Sequence, residues 1–154
     1  MNEHLEASVN ELKRADHMIF VSLKYTRTCD VIKNIVERLM SCFDSVYDFL
    51  IEALKEKKKI GEAPTIKARK IELLKEYFKN DKTFNEYFEF YQLMKKINKA
   101  DFTRRQEFRR HVTMTVILEE EGCIELNIDS IHEYYTKTKA FLDWAVEMVS
   151  PREV

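Results

Sequence analysis

Residues 30–58 read DVIKNIVERLMSCFDSVYDFLIEALKEKK. Val31, Ile35, Leu39, Cys42, Val46, Leu50 and Leu54 recur every three or four positions, which puts them on one face of an α-helix. No Gly or Pro interrupts them, so the spacing predicts a long helix from about Asp30 to Lys58. The chain before it behaves in the same way. Leu5, Val9, Leu12, Ile19 and Leu23 predict a helix from about Glu3 to Tyr25. One unbroken helix over both would be about 85 Å long at 1.5 Å per residue, too long for a compact domain. A break is expected in Thr26-Arg27-Thr28, where threonine weakens a helix and can cap the next one. The alternative is a single long helix that pairs with a second chain.

Beyond the second helix, Gly61-Glu62-Ala63-Pro64-Thr65 reads as a loop, with Gly61 ending the helix and Lys55, Lys57, Lys58 and Lys59 suiting its negative end. A third helix is predicted from about Ile66 to Lys79, with Ile66, Leu73, Leu74, Tyr77 and Phe78 inward. After a turn at Asn80-Asp81-Lys82, Thr83-Phe84-Asn85-Glu86 has the pattern of a capping box and opens a fourth helix. Its aromatic stripe is Phe84, Tyr87, Phe88 and Tyr91, with Met94. The stripe could stack bases, but helical spacing favours core packing. From Phe108 onward the pattern alternates. Residues 112–118 and 123–128, separated by Glu119-Glu120-Glu121-Gly122, predict a small β-hairpin. Ser130-Ile131-His132-Glu133 reads as a second capping box. The helix it opens presents Ile131, Tyr134, Tyr135, Thr138, Phe141, Leu142, Ala145, Val146 and Val149 inward and stops at Ser150-Pro151. The expected fold is mainly α, a bundle of about five helices with a small hairpin before the last, in one domain over residues 1–154.

Bulk properties agree and remove several function classes. The 154 residues hold only 2 Gly and 2 Pro, and 34% are charged. The net charge of −1 gives no global pull toward nucleic acid or membrane. The longest apolar run, Met18-Ile19-Phe20-Val21, is far too short to span a bilayer. Three cysteines, with no CxxC, read as free thiols in a reducing compartment. With a polar, acid-containing amino terminus, the expected location is the cytoplasm. No HExxH, zinc spacing or EF-hand loop occurs, so no metal site is expected. No P-loop or GxGxxG occurs, so no nucleotide cofactor is expected either. His17, with Asp16 and Arg14, could face a cleft with Tyr25, Arg27 and Asp30, but a polar patch is the better reading. His4 and His132 look like surface residues.

The neutral total conceals a division of charge. Residues 95–111 carry Lys95, Lys96, Lys99, Arg104, Arg105, Arg109 and Arg110 against Asp101 and Glu107, a net of +5. Residues 119–133 carry six carboxylates and no Lys or Arg. Four arginines suit phosphate, because guanidinium groups bind it through two parallel hydrogen bonds. The competing reading is that the basic stretch pairs with the acidic one, within one chain or between two.

Inside the basic stretch lies Arg104-Arg105-Gln106-Glu107-Phe108-Arg109-Arg110-His111. Five residues separate Arg105 from His111, and six separate Arg104 from it. This resembles the R-x4–6-H motif of HEPN domains, a family of helical bundles. The resemblance implies a homodimer and RNA as partner. Many members are metal-independent ribonucleases, often toxins, while others only bind nucleotides or act as scaffolds, so an antitoxin or other protein partner is also implied. By this resemblance His111 would be general base or acid and Arg105 (or Arg104) would hold the scissile phosphate. Arg104, Arg109, Arg110 and Lys99 would position the strand. The chemistry is coherent. The substrate's own 2′-hydroxyl is the nucleophile, histidine moves protons near neutrality, and arginine stabilises charge on the phosphorus oxygens. The family usually carries its motif on a helix, whereas His111 falls at the start of a predicted strand. The second reading is a non-catalytic helical dimerisation or protein-interaction module.

Overall fold

The computed structural model describes residues 2–150. Helix α1 (Glu3–His17) is capped by Asn2, whose side chain accepts from the His4 and Leu5 amides at 2.7 and 3.3 Å. The chain stays helical to Tyr25, but Met18–Ser22 forms a π-helical turn. The wider turn keeps Ile19 and Leu23 inward and leaves Phe20 and Val21 exposed. The break falls where expected, at Thr26-Arg27-Thr28, which excludes the single long helix. Thr28 is extended, and its hydroxyl accepts from the Val31 amide at 3.3 Å, capping α2 (Cys29–Glu56). A contact of the His4 Nε2 with Glu52 and an ion pair from Arg38 to Glu11, both at 3.1 Å, set α1 antiparallel to α2.

Helix α2 is the centre of the molecule. It buries 14 of its 28 residues, so Ile32, Val36, Phe43, Tyr47 and Phe49 are inward beside the predicted stripe. A helix buried on more than one face must be covered from several sides. The cover comes from α1, α3 (Lys67–Tyr77), α4 (Lys82–Lys99), a sheet, and α5 (Ile128–Val149). Phe43 stacks on Phe141 at 4.4 Å and on Tyr91 at 5.6 Å. The stripe on α4 is core: Phe84, Phe88, Tyr91 and Met94 are buried and Tyr87 half-buried, so it offers no platform for bases. Asp44 ties α2 to its cover by accepting from the Tyr91 hydroxyl and pairing with Lys67.

Several helix ends differ from expectation. Lys58, at φ 56°, is the left-handed residue that closes α2, rather than Gly61. The Lys59 amide reaches the Leu54 carbonyl at 2.9 Å and the Lys58 amide reaches that of Lys55 at 3.0 Å, a Schellman closure. Ile66 is extended and precedes α3, so it leaves the helical period and is 58% exposed; Tyr77 is exposed too. Asp81 caps α4 through the Phe84 amide at 2.9 Å, taking the place predicted for Thr83, because a carboxylate is the stronger acceptor. The last helix begins earlier than Ser130. Asn127 is its cap, and Ser130 is the third helical residue of a reciprocal capping box. Ser150 ends the helix as expected, and Pro151 lies outside the described residues.

The hairpin is present as β2 (Thr113–Leu118) and β3 (Gly122–Leu126), turning at Gly122 with φ 76°. A further strand, β1 (Phe102–Arg105), pairs antiparallel with β2 and makes the order β1-β2-β3. Its sequence FTRR has one apolar residue and no full alternation, so it reads as part of the basic run. Phe102, Val116 and Ile124 align across the sheet, as do Arg104, Met114 and Leu126. Those rows face the core, and Arg104 projects past its edge.

Candidate nucleic-acid interface

Three of the seven basic side chains in residues 95–111, Lys96, Arg104 and Arg105, are paired with carboxylates. Arg104 makes two bonds to Asp30 at 3.0 Å, in the fork geometry of guanidinium on carboxylate, and reaches Glu107 at 3.4 Å. Hydrogen bonding to Arg104 holds the Asp30 carboxyl below the usual range. Arg105, on the outer face of the sheet, turns to Glu125 at 3.5 Å. Lys96 pairs with Glu121 at 2.9 Å and Glu120 at 3.5 Å, and its hydrogen bond lowers the Glu121 carboxyl. The expected pairing of basic with acidic stretch therefore holds within one chain for Lys96 and Arg105.

Arg109, Arg110 and His111 stay exposed on the β1–β2 connection. Among the described residues none of their side chains has a carboxylate or hydrogen-bond partner. The connection is nonetheless braced. The Phe108 amide donates to the Arg27 carbonyl at 2.6 Å, the Arg109 amide to that of Gln106 at 3.2 Å, and the Val112 amide to that of Arg109 at 3.1 Å. The Glu107 carboxylate accepts from the Cys29 amide at 3.4 Å, at the start of α2. The Cys29 thiol donates to the Thr113 carbonyl at 3.3 Å, and burial pushes its pKa up, so Cys29 anchors the sheet and is no nucleophile.

His111 and Arg110 line a cavity of about 310 Å³ together with Thr113, Asn127, Ile128 and Asp129, the last three from the start of α5. The Thr113 hydroxyl fixes the His111 carbonyl at 2.9 Å. Arg105 does not line this cavity. The motif's arginine and histidine share one end of the sheet, on a strand end and a loop, and Arg110 is the arginine beside His111. Lys99 stands apart. It lines a groove with Lys96, Ile117 and Glu119–Glu121 at the far end of β2, on the order of 17 Å away for six strand residues. His17 lies with Lys13, Arg14, Met18 and Arg38 in a shallow depression, away from Asp30. Among the described residues no group of three or more His, Cys, Asp or Glu gathers as a metal would require, and no helix is long and apolar enough to cross a membrane.

Two features of this end were not read from the sequence. One is Phe108, 76% exposed at φ 65°, beside Gln106 at φ 54°. A lone aromatic amid charges carried the signal, though nothing in its spacing showed that it faces solvent. The other is the contribution of Asn127 and Asp129, which depends on where α5 begins. Comparison with family models, curated proteins and solved structures gives no match for this chain.

Proposed function

We propose that this chain binds RNA through the β1–β2 connection and cleaves it without a metal, as an HEPN-like endoribonuclease. The observation that supports the reading is the braced loop that presents Arg109, Arg110 and His111 beside a polar cavity, with no carboxylate partner among the described residues. In this reading the substrate's 2′-oxygen attacks the adjoining phosphorus and the bond to the 5′-oxygen breaks. His111 carries protons in this exchange. Arg110 stabilises the charge on the phosphoryl oxygens from where it stands. Arg105 joins only by releasing Glu125, so its role is secondary to that of Arg110. Homodimerisation belongs to the same proposal, and sedimentation of the free protein measures it.

The test is cleavage of mixed single-stranded RNA in EDTA. Wild type should cut, leaving a 2′,3′-cyclic phosphate and a 5′-hydroxyl. His111→Ala should lose about a hundredfold or more with its circular dichroism unchanged. No cleavage by wild type, or equal cleavage by both, refutes the ribonuclease. The second reading, a non-catalytic interaction module, is favoured by Phe20 and Val21, left exposed on the π-helical turn. It becomes the preferred reading if RNA is neither bound nor cut.

A further inference from the structure

Phe108 has no structural reason to be phenylalanine. Its φ of 65° lies in the left-handed region, where a bulky residue is strained and glycine would be at ease. The residue is 76% exposed, so burial does not offset that strain. Among the described residues it touches neither a ring nor a cation, whereas the other exposed phenylalanine, Phe20, leans edge-on against His132 at 5.4 Å. The backbone bond to the Arg27 carbonyl and the Glu107 contact to α2 hold the ring outward on a fixed support. Strain that neither packing nor solubility explains points toward function.

We propose that Phe108 is a base-stacking residue that makes the site select unpaired nucleotides. The inference rests on the RNA reading above and adds how the strand is chosen. Every base offers a π face, and that face is free only when the strand is not in a duplex. Phe108 is followed directly by Arg109 and Arg110, two cations without a carboxylate partner among the described residues, so a ring that suits a base sits beside charge that suits its phosphates. Tyr25, 79% exposed, lies two residues before the carbonyl that holds Phe108 and gives a second ring at the same end. Arg110 stands two positions after Phe108, a Cα–Cα reach of at most about 7 Å. The stacked base therefore belongs to a nucleotide next to the phosphate at Arg110 and His111.

The experiment measures fluorescence anisotropy with a short labelled 2′-O-methyl RNA, which lacks the attacking hydroxyl and survives. It is presented single-stranded and annealed to its complement. Wild type should prefer the single strand. Phe108→Ala should weaken single-strand binding about tenfold, the loss of one stacked base, and leave the duplex unchanged. Phe108→Trp should keep the affinity, and its emission should be quenched on binding, over the constant signal of Trp144. Equal single-strand binding by wild type and Phe108→Ala overturns the stacking role while the RNA reading stands. So does an equal loss on both forms. No binding of either form by wild type brings down the RNA reading and the stacking role with it.

Discussion

Replacing Phe108 by glycine and, separately, by alanine isolates the conformational cost at this position. Both substitutions remove the exposed ring. They differ in the Cβ that alanine keeps, which opposes the left-handed conformation at φ 65°. That conformation costs an L-residue about 1–2 kcal/mol. Glycine avoids the cost, yet loses about 0.5–1 kcal/mol more backbone entropy on folding. Glycine should therefore exceed alanine in stability by roughly 0.5–1 kcal/mol. For a chain of this length that is about 1–4 °C in Tm. Alanine should sit within about 0.5 kcal/mol of wild type, as exposed substitutions do. Urea unfolding at an unchanged slope measures both values, and the Arg27 bond survives in each because both keep the amide. The glycine variant would then be more stable than wild type and poorer at binding single strands. Alanine equal to or more stable than glycine would show that the position is not strained, and the step from strain to function would fail.

Three further outcomes are expected. Phe43→Ala should cost about 3–5 kcal/mol and lower Tm by on the order of 10 °C, since Phe43 is fully buried and stacked on Phe141 and Tyr91; a loss below 1 kcal/mol in urea unfolding would contradict its central place. In the salt dependence of single-strand binding, Arg109 and Arg110 should give a log–log slope of about −1.4, and Glu125→Gln should steepen it to about −2.1 by freeing Arg105; an unchanged slope removes Arg105 from the interface. Alkaline pH should destabilise the fold. Burial raises the Cys42 thiol from 9.0 to about 12 and raises Tyr47 and Tyr91 as well. Folded values above the unfolded ones mean that this stability is complete below pH 9 and is lost as pH rises toward 12. Each ionising group contributes about 1.4 kcal/mol per pH unit to the decline. Cys42→Val should make the fall of the urea midpoint shallower above pH 9, and a midpoint flat to pH 12 would refute the account.

The helices were legible because periodicity survives averaging over many residues. Seven stripe positions of α2 located the helix even though they named only one of its buried faces. The break at Thr26-Arg27-Thr28 was legible for a different reason, since length made one helix implausible and threonine supplied a cap. The ends were harder, because neighbouring residues compete for the same amide. Asp81 and Thr83 lie within reach of the first turn of α4, and Asn127 precedes Ser130; in each pair the earlier side chain took the cap. Strand β1 stayed hidden because a four-residue edge strand with two arginines has no alternation of its own. Its pairing with β2 is a tertiary fact.

The same limit explains what the sequence said about the interface. Charge counting showed that residues 95–111 are basic and residues 119–133 acidic, but it could not say which cations would meet which acids. The register of the sheet decides that. Pairing β2 with β3 sets Glu125 opposite Thr115, on the face that carries Arg105, while the turn at Glu119–Glu121 falls beside Lys96 at the end of α4. Arg104 lies on the opposite face and finds Asp30. The β1–β2 connection pairs with no strand, so its cations meet none of these acids. Of the seven basic side chains, Arg109 and Arg110 keep their charge free beside His111, and the loop that carries them is the one with two left-handed non-glycine residues. Lys96, Arg104 and Arg105 are paired with acids, while Lys95 and Lys99 on α4 have no carboxylate partner among the described residues, so Arg109 and Arg110 are the unpaired cations at this end of the sheet. A protein with no net pull on nucleic acid could in this way confine contact to a single exposed edge. The double substitution Arg109→Ala with Arg110→Ala is the decisive probe of that confinement. It should abolish measurable salt dependence, whereas Lys99→Ala, at the far end of β2, should leave both slope and affinity as they are. Loss of binding in Lys99→Ala equal to that of the double variant would mean that the strand runs the length of the sheet, and the confined edge would be the wrong description.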